Sequence, residues 1–258
     1  MRERICYLGD DHLGGAAAYL AGIMTHFGLP FDHVASGESP PADTLTEPYR
    51  LYVLSDYPAG RFQSGGMDDL AAQVQDGSGL LMIGGWESFH GRAGEYHATR
   101  LANVLPVEML DADDRRNCAQ PCLIHKVADH PVLHGLPWDA PPGIGGFNAF
   151  AARPGSQTLL TAVHCSVRDR QGSFELTPQA ESPLLVVGEY GRGRTAALAT
   201  DVAPHWVGGF VDWGDRRLFQ EVGAGFIEVG NWYAEFFRNL LLWTMGANTY
   251  PCRCRKAS

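Results

Sequence analysis

Acidic residues and an imidazole recur just past apolar runs in this chain. Asp10 and Asp11 follow Ile5-Cys6-Tyr7-Leu8 across Gly9, and Ser55 with Asp56 follows Leu51-Tyr52-Val53-Leu54. Trp86, Glu87 and Ser88 follow Leu80-Leu81-Met82-Ile83 across Gly84 and Gly85, and Asp201 leads to His205 behind a run of small apolar residues. These residue types suit two kinds of chemistry. Asp201 and His205 could form an acid that orients a histidine as general base, with Ser88 or Glu87 in the glycine-rich turn as nucleophile. That set would make a hydrolase or amidotransferase. Alternatively, Asp10, Asp56, Gly85 and Trp86 line a binding cleft whose acidity favours a cationic ligand or a hard divalent ion over an anion. Plainer readings stand beside both. Asp10 and Asp56 suit helix caps, Ser88 a turn, and the Asp201-His205 segment a hydrogen-bonded loop anchor.

The elements needed to position these residues are legible in outline. Short apolar runs bounded by glycine read as buried parallel strands at residues 4–8, 51–54 and 80–83, with Phe31 to Ala35 as another strand and the segment near 195–199 joining the same sheet. Helices are expected over Gly14 to Phe27, closed by Gly28, and around Met67 to Gln75. Strands alternating with helices imply right-handed β-α-β units, hence a flavodoxin-like three-layer α/β sandwich with a mostly parallel central sheet. In such sheets ligands bind beyond the carboxyl ends of the strands, where the polar residues above fall.

From Val107 to about Ala180 the pattern loosens. Asp111 to Arg116 reads as an exposed loop and Pro141 to Gly146 as another, with strand-like pieces at Asn148 to Ala152 and Thr158 to Val163. Pro183 to Val187 and Arg194 to Leu198 read as a hairpin, giving the sheet an antiparallel extension within a single domain spanning 1–258. Trp232, Phe236, Leu240 and Trp243 recur at helical spacing in a final helix, as a core stripe. Trp206, Val207, Phe210, Val211 and Trp213 lie among glycines, a surface for self-association into a homo-oligomer or for a scaffold partner, or else a lid or core segment.

Composition narrows the partners. A formal net charge of −9 argues against a nucleic acid, the clustered cations Arg253, Arg255 and Lys256 being confined to the end of the chain. No apolar run is long enough to span a membrane and no secretory leader is evident, which implies a cytoplasmic protein with reduced cysteines. The pairs Cys118/Cys122 and Cys252/Cys254 each lack a second pair at zinc-finger spacing, so no metal or other cofactor is expected. A small-molecule ligand is the expected partner.

The segments Gly9-Asp10-Asp11, Leu54-Ser55-Asp56, Gly84 to Gly91 (GGWESFHG), Val104-Leu105-Pro106-Val107, Asp129-His130-Pro131, Gly145 to Asn148, Gly191 to Arg194, Thr200 to Trp206 and the final aromatic helix together carry a resemblance over nearly the whole chain. It is to the GATase1-like branch of the class I glutamine amidotransferase-like superfamily. The resemblance implies the open α/β sheet and, in active members, a G-x-C-x-G turn with a thiolate nucleophile and a downstream histidine and glutamate. Here Gly85-Trp86-Glu87-Ser88-Phe89 occupies that region. Neither Glu87 nor Ser88 is a thiol, so the resemblance implies an amidotransferase-like domain without glutaminase chemistry.

Overall fold

Strands buried on both faces must be covered by helices on both, and this dictates the centre of the molecule. The computed structural model describes residues 2–247. In chain order the elements are β1 (Arg2–Gly9), α1 (Ala18–His26), β2 (Phe31–Val34), α2 (Ala42–Thr46), β3 (Tyr49–Ser55), α3 (Gly66–Gln75), β4 (Gly79–Ile83), β5 (Val107–Met109), β6 (Arg115–Lys126), β7 (Gly143–Asn148), β8 (Phe150–Ala152), β9 (Gln157–Arg170), β10 (Ser173–Tyr190), β11 (Gly193–Leu198), β12 (Arg217–Val222), β13 (Gly225–Gly230) and α4 (Asn231–Thr244).

Nine strands form one sheet in the order β2-β1-β3-β4-β11-β10-β9-β6-β7. From β2 to β11 every neighbouring pair is parallel, and from β11 to β7 every pair is antiparallel. The parallel half carries the apolar runs: β4 is buried along its whole length, as is β3 from Leu51 to Ser55. Helices α1 and α4 pack together, as do α2 and α3, giving the helical layers of the flavodoxin-like sandwich. Gly28 closes α1 with a left-handed φ of 66°. On α4, Phe236 and Leu240 are buried while Trp232 and Trp243 pack partly exposed against the same core.

The antiparallel half departs from the expected loops. Asp111 to Arg116 is not simply an exposed loop: β6 starts at Arg115, and Asp114 is fully buried. The glycine-rich stretch from Pro141 enters β7 at Gly143 instead of remaining a loop, because Gly146 lets the Trp206 ring lie against the strand. A Cβ there would sit 2.4 Å from the ring. The β9–β10 hairpin is far longer than the pieces read for it, and its tip from Ser173 to Glu181 is exposed at every position. Such a strand buries no face, so it leaves no alternation to read.

The aromatic segment from Trp206 to Trp213 is a further correction. Trp206, Val207, Phe210, Val211 and Trp213 are all buried, so they offer no surface for self-association. Phe210 packs against Trp213, Tyr233, Phe236 and Phe237, the last three on α4. The indole N–H groups are satisfied inside, Trp206 donating to Asn117 Oδ1 and Trp213 to the Ala140 carbonyl, each at 2.9 Å. The pair Cys252/Cys254 and the cations Arg253, Arg255 and Lys256 lie outside the described residues.

Candidate functional site

The carboxyl ends of β1, β3, β4 and β11 open on one side of the sheet, and a cleft of about 520 Å³ lies there. Asp10, Asp56, Trp86, Asp201 and His205 line it, together with Ala16, Tyr19, Ala203 and Pro204. Each acid arrives at the end of a different strand. Asp10 and Asp56 both hold left-handed backbone, at φ 52° and 45°. A non-glycine residue there carries local strain that surrounding contacts must maintain, and two such acids in one cleft mark it as a site.

Backbone packing imposes the turns. At Gly9, φ is 143° and a Cβ would stand 1.6 Å from the Ser55 carbonyl oxygen, so only glycine lets the ends of β1 and β3 come this close. The Asp10 N–H donates to that same Ser55 carbonyl at 2.9 Å, and the Tyr7 hydroxyl donates to the Asp10 carboxylate. At Gly85 a Cβ would lie 2.1 Å from Asp56 Oδ1. Gly85 is thus a packing requirement of the Asp56 carboxylate, which also accepts the Glu87 N–H at 2.7 Å.

The remaining residues of interest divide sharply. Ser88 is buried, and its Oγ accepts the Asp56 N–H at 3.0 Å, a contact that positions the acid. Glu87 is half-buried beside the cleft, not among its lining residues. Asp201 Oδ1 accepts the N–H groups of Val202 and Ala203, at 2.6 and 3.0 Å, in the manner of a loop anchor. His205 meets the edge of Trp86, ring centroids 5.9 Å apart. No hydrogen bond joins Asp201 to His205 among the described residues, so the two share the cleft without forming an acid-imidazole pair.

Two residues outside the expected set hold the turn after β4. Asn148 Oδ1 accepts the Gly85 N–H at 2.9 Å, while its Nδ2 donates to the Gly85 carbonyl and to Asp114 Oδ1, at 3.1 and 2.7 Å. Asp114 in turn accepts the N–H groups of His90 and Gly91, each at 3.0 Å. Both side chains are fully buried, so every polar atom must find a partner, and this pair provides them. Asn148 ends the far edge strand of the sheet yet touches the end of β4. The antiparallel half therefore curls back over the strand ends of the parallel half. Sequence carried one signal for this: a polar pair, Asp114 and Asn148, within the segment matched to the family motif at Gly145 to Asn148.

Electrostatics sets the cleft apart from an ordinary acidic patch. Burial, with the charge of Asp56 adding to it, pushes the Asp10 carboxyl up to about 7, against the opposing hydrogen bond from Tyr7. Burial likewise raises Asp56 to about 6, opposed by the Glu87 N–H. Asp201 is pushed well above the carboxylate range by burial and by the charges of Asp56 and Asp10. Three acids thus resist ionisation together, a cost that a bound cation would remove. Among the described residues, only Cys118, Cys122 and His164 bring three metal-ligating atoms within 4.8 Å of one another. The carboxylates of the cleft are spread more widely than one inner coordination sphere requires.

Comparison with known proteins agrees with this architecture. The chain is 25% identical to a cytoplasmic protein of Salmonella typhimurium, over 93% of this chain and 98% of that one, with a TM-score of 0.73. A second cytoplasmic protein, from Salmonella typhimurium LT2, is 26% identical over 93% and 99%, with a TM-score of 0.72. A cold-adapted β-galactosidase of Rahnella sp. R3 shares the fold at 15% identity and a TM-score of 0.52, over 93% of this chain and 31% of that one. No curated protein matches. The family model described as "Putative glutamine amidotransferase" matches residues 66–224, from the start of α3 through β12, and the chain belongs to that GATase1-like family.

Proposed function

We propose that this protein is an amidotransferase-like domain that works without thiol chemistry and binds a small organic cation in the strand-end cleft. The observation that carries this reading is the convergence of Asp10, Asp56 and Asp201, all buried, two of them on left-handed backbone. Trp86 and Tyr19 supply apolar and π surface beside them, suited to the alkyl stem and charged head of an amine. The spread of the carboxylates fits a multi-atom cation better than a bare divalent ion.

Glutaminase activity is not part of this reading. The turn from Gly84 to Gly91 has no cysteine. Cys6, inside β1, is fully buried, and its thiol is pushed far above the range in which a thiolate forms. Ser88, spent on the Asp56 N–H, has no base beside it among its printed hydrogen-bond partners. A nucleic-acid partner is disfavoured by the net charge of −9. Likeness to two proteins named as cytoplasmic supports a cytoplasmic setting, and no described helix is long and apolar enough to cross a membrane.

Calorimetry with putrescine, spermidine and the neutral polyol sorbitol, near pH 7 in buffers of different ionisation enthalpy, tests the proposal. An amine should bind with release of protons, because its charge lowers the raised carboxyls, and Asp56→Asn should weaken binding at least tenfold. Sorbitol bound with no proton release, or binding indifferent to Asp56→Asn, would sink the cation reading. Ammonia formed from glutamine above a heat-killed control, and lost in Ser88→Ala or Glu87→Gln, would instead establish the hydrolytic alternative.

A further inference from the structure

The antiparallel half of the sheet holds a second cluster, away from the carboxylate cleft. Cys122 on β6 stands opposite His164 on β9 in the strand register, so their side chains share one face. Along the other edge of β6, pairing with β7 jumps from Asn117↔Gly146 to Cys122↔Ile144. The residues between bulge out of the ladder and carry Cys118 back toward Cys122. The two thiols are in hydrogen-bond contact. All three ligand atoms lie within 4.8 Å of one another, with Cys122 buried and the other two half-buried.

This is the donor set of a soft transition-metal site, and the sequence concealed it because the histidine comes from a different strand. Zinc takes thiolate and imidazole ligands in a tetrahedron with Zn–S about 2.3 Å and Zn–N about 2.0 Å, which places donor atoms about 3.5–3.8 Å apart. Rotation about the side-chain bonds is enough to close the present spacing to that value. His164 packs its ring against Phe147, centroids 5.5 Å apart, and no printed hydrogen bond engages its ring nitrogens, so one is free to coordinate. The neighbouring thiol of Cys165 donates to the Val163 carbonyl and stays out of the cluster.

We propose that Cys118, Cys122 and His164 bind one zinc ion, with the fourth position open to water. The ion would replace two thiol protons, giving Cys2His coordination that fastens the β6 bulge to β9. That bulge begins beside Asn117, which holds the Trp206 indole at the end of the cleft loop.

The test uses the full-length, untagged protein, stripped by a chelator under reducing conditions and titrated with cobalt(II) and then zinc(II). One equivalent of cobalt should give the visible absorption of tetrahedral thiolate coordination, and one equivalent of zinc should abolish it and raise the melting temperature. Cys122→Ser and His164→Asn should each lose the stoichiometric band. Cys165→Ser should keep it, and so should the double variant Cys252→Ser/Cys254→Ser, which removes the only other cysteine pair in the chain. Circular dichroism identifies any variant that fails to fold, and for such a variant Cys118→Ser provides the same readout at the more exposed ligand. Absence of the band in reduced wild type would overturn the proposal, as would its loss only when Cys252 and Cys254 are replaced. A Cys118–Cys122 disulfide in protein freshly isolated without reductant, shown by mass before and after reduction, would overturn it as well.

Discussion

The two halves of the central sheet solve different problems. In the parallel half, β1, β3, β4 and β11 are packed between helices, and their ends are fixed so tightly that two acids are held in left-handed backbone. In the antiparallel half, β9 and β10 run on past the core until the hairpin tip is exposed on both faces. One half spends its burial on geometry at the strand ends. The other reaches around, and its last strand returns Asn148 to brace the turn at Gly85. The comparison teaches that rigidity in this molecule is local: the cleft acids are placed by the parallel half and kept in place by a single polar bridge from the other.

The largest expected effect is in the parallel half. Leu81 is fully buried in β4, and Leu81→Ala should cost about 2–5 kcal/mol through lost burial and a residual cavity, read by urea unfolding. A cost below about 1 kcal/mol would mean that the half is not the rigid body described.

An intermediate effect is expected at the cleft. The Asp10 carboxyl ionises near 4 in the unfolded chain and at about 7 in the fold, so the fold holds its proton more tightly. Its contribution to stability is therefore fullest below pH 4 and declines as pH rises toward 7, after which the penalty is constant. Asp10→Asn should remove this slope, leaving the variant about 1–2 kcal/mol more stable than wild type at pH 8 and near parity at pH 4. A variant that loses stability equally at both values would show that Asp10 serves the fold as an uncharged hydrogen-bonding group alone.

The smallest effect belongs to the hairpin tip. Phe174 is 75% exposed, and Phe174→Ala should change stability by no more than about 0.5 kcal/mol. A loss of the same size as at Leu81 would mean that the tip is covered in solution, and the contrast between the halves would fail.

Sequence alone carried the parallel half because its strands are short, apolar and bounded by glycine, a pattern that burial on both faces requires. It also carried the place of the site, since polar residues after such strands must gather at one edge of the sheet. Asp10, Asp56, Trp86, Asp201 and His205 were all legible in that way. Tertiary structure alone decided their roles. Asp201 anchors the backbone of its own loop and not His205, and Ser88 supports Asp56 from beneath, because side-chain direction depends on contacts that spacing does not encode. Nor did spacing reveal that Asp114 is buried, that the rings from Trp206 to Trp213 turn inward, or that His164 meets two cysteines. Each follows from long-range pairing between strands whose partners lie far apart in the chain, and local pattern carries no record of which strand a residue will face.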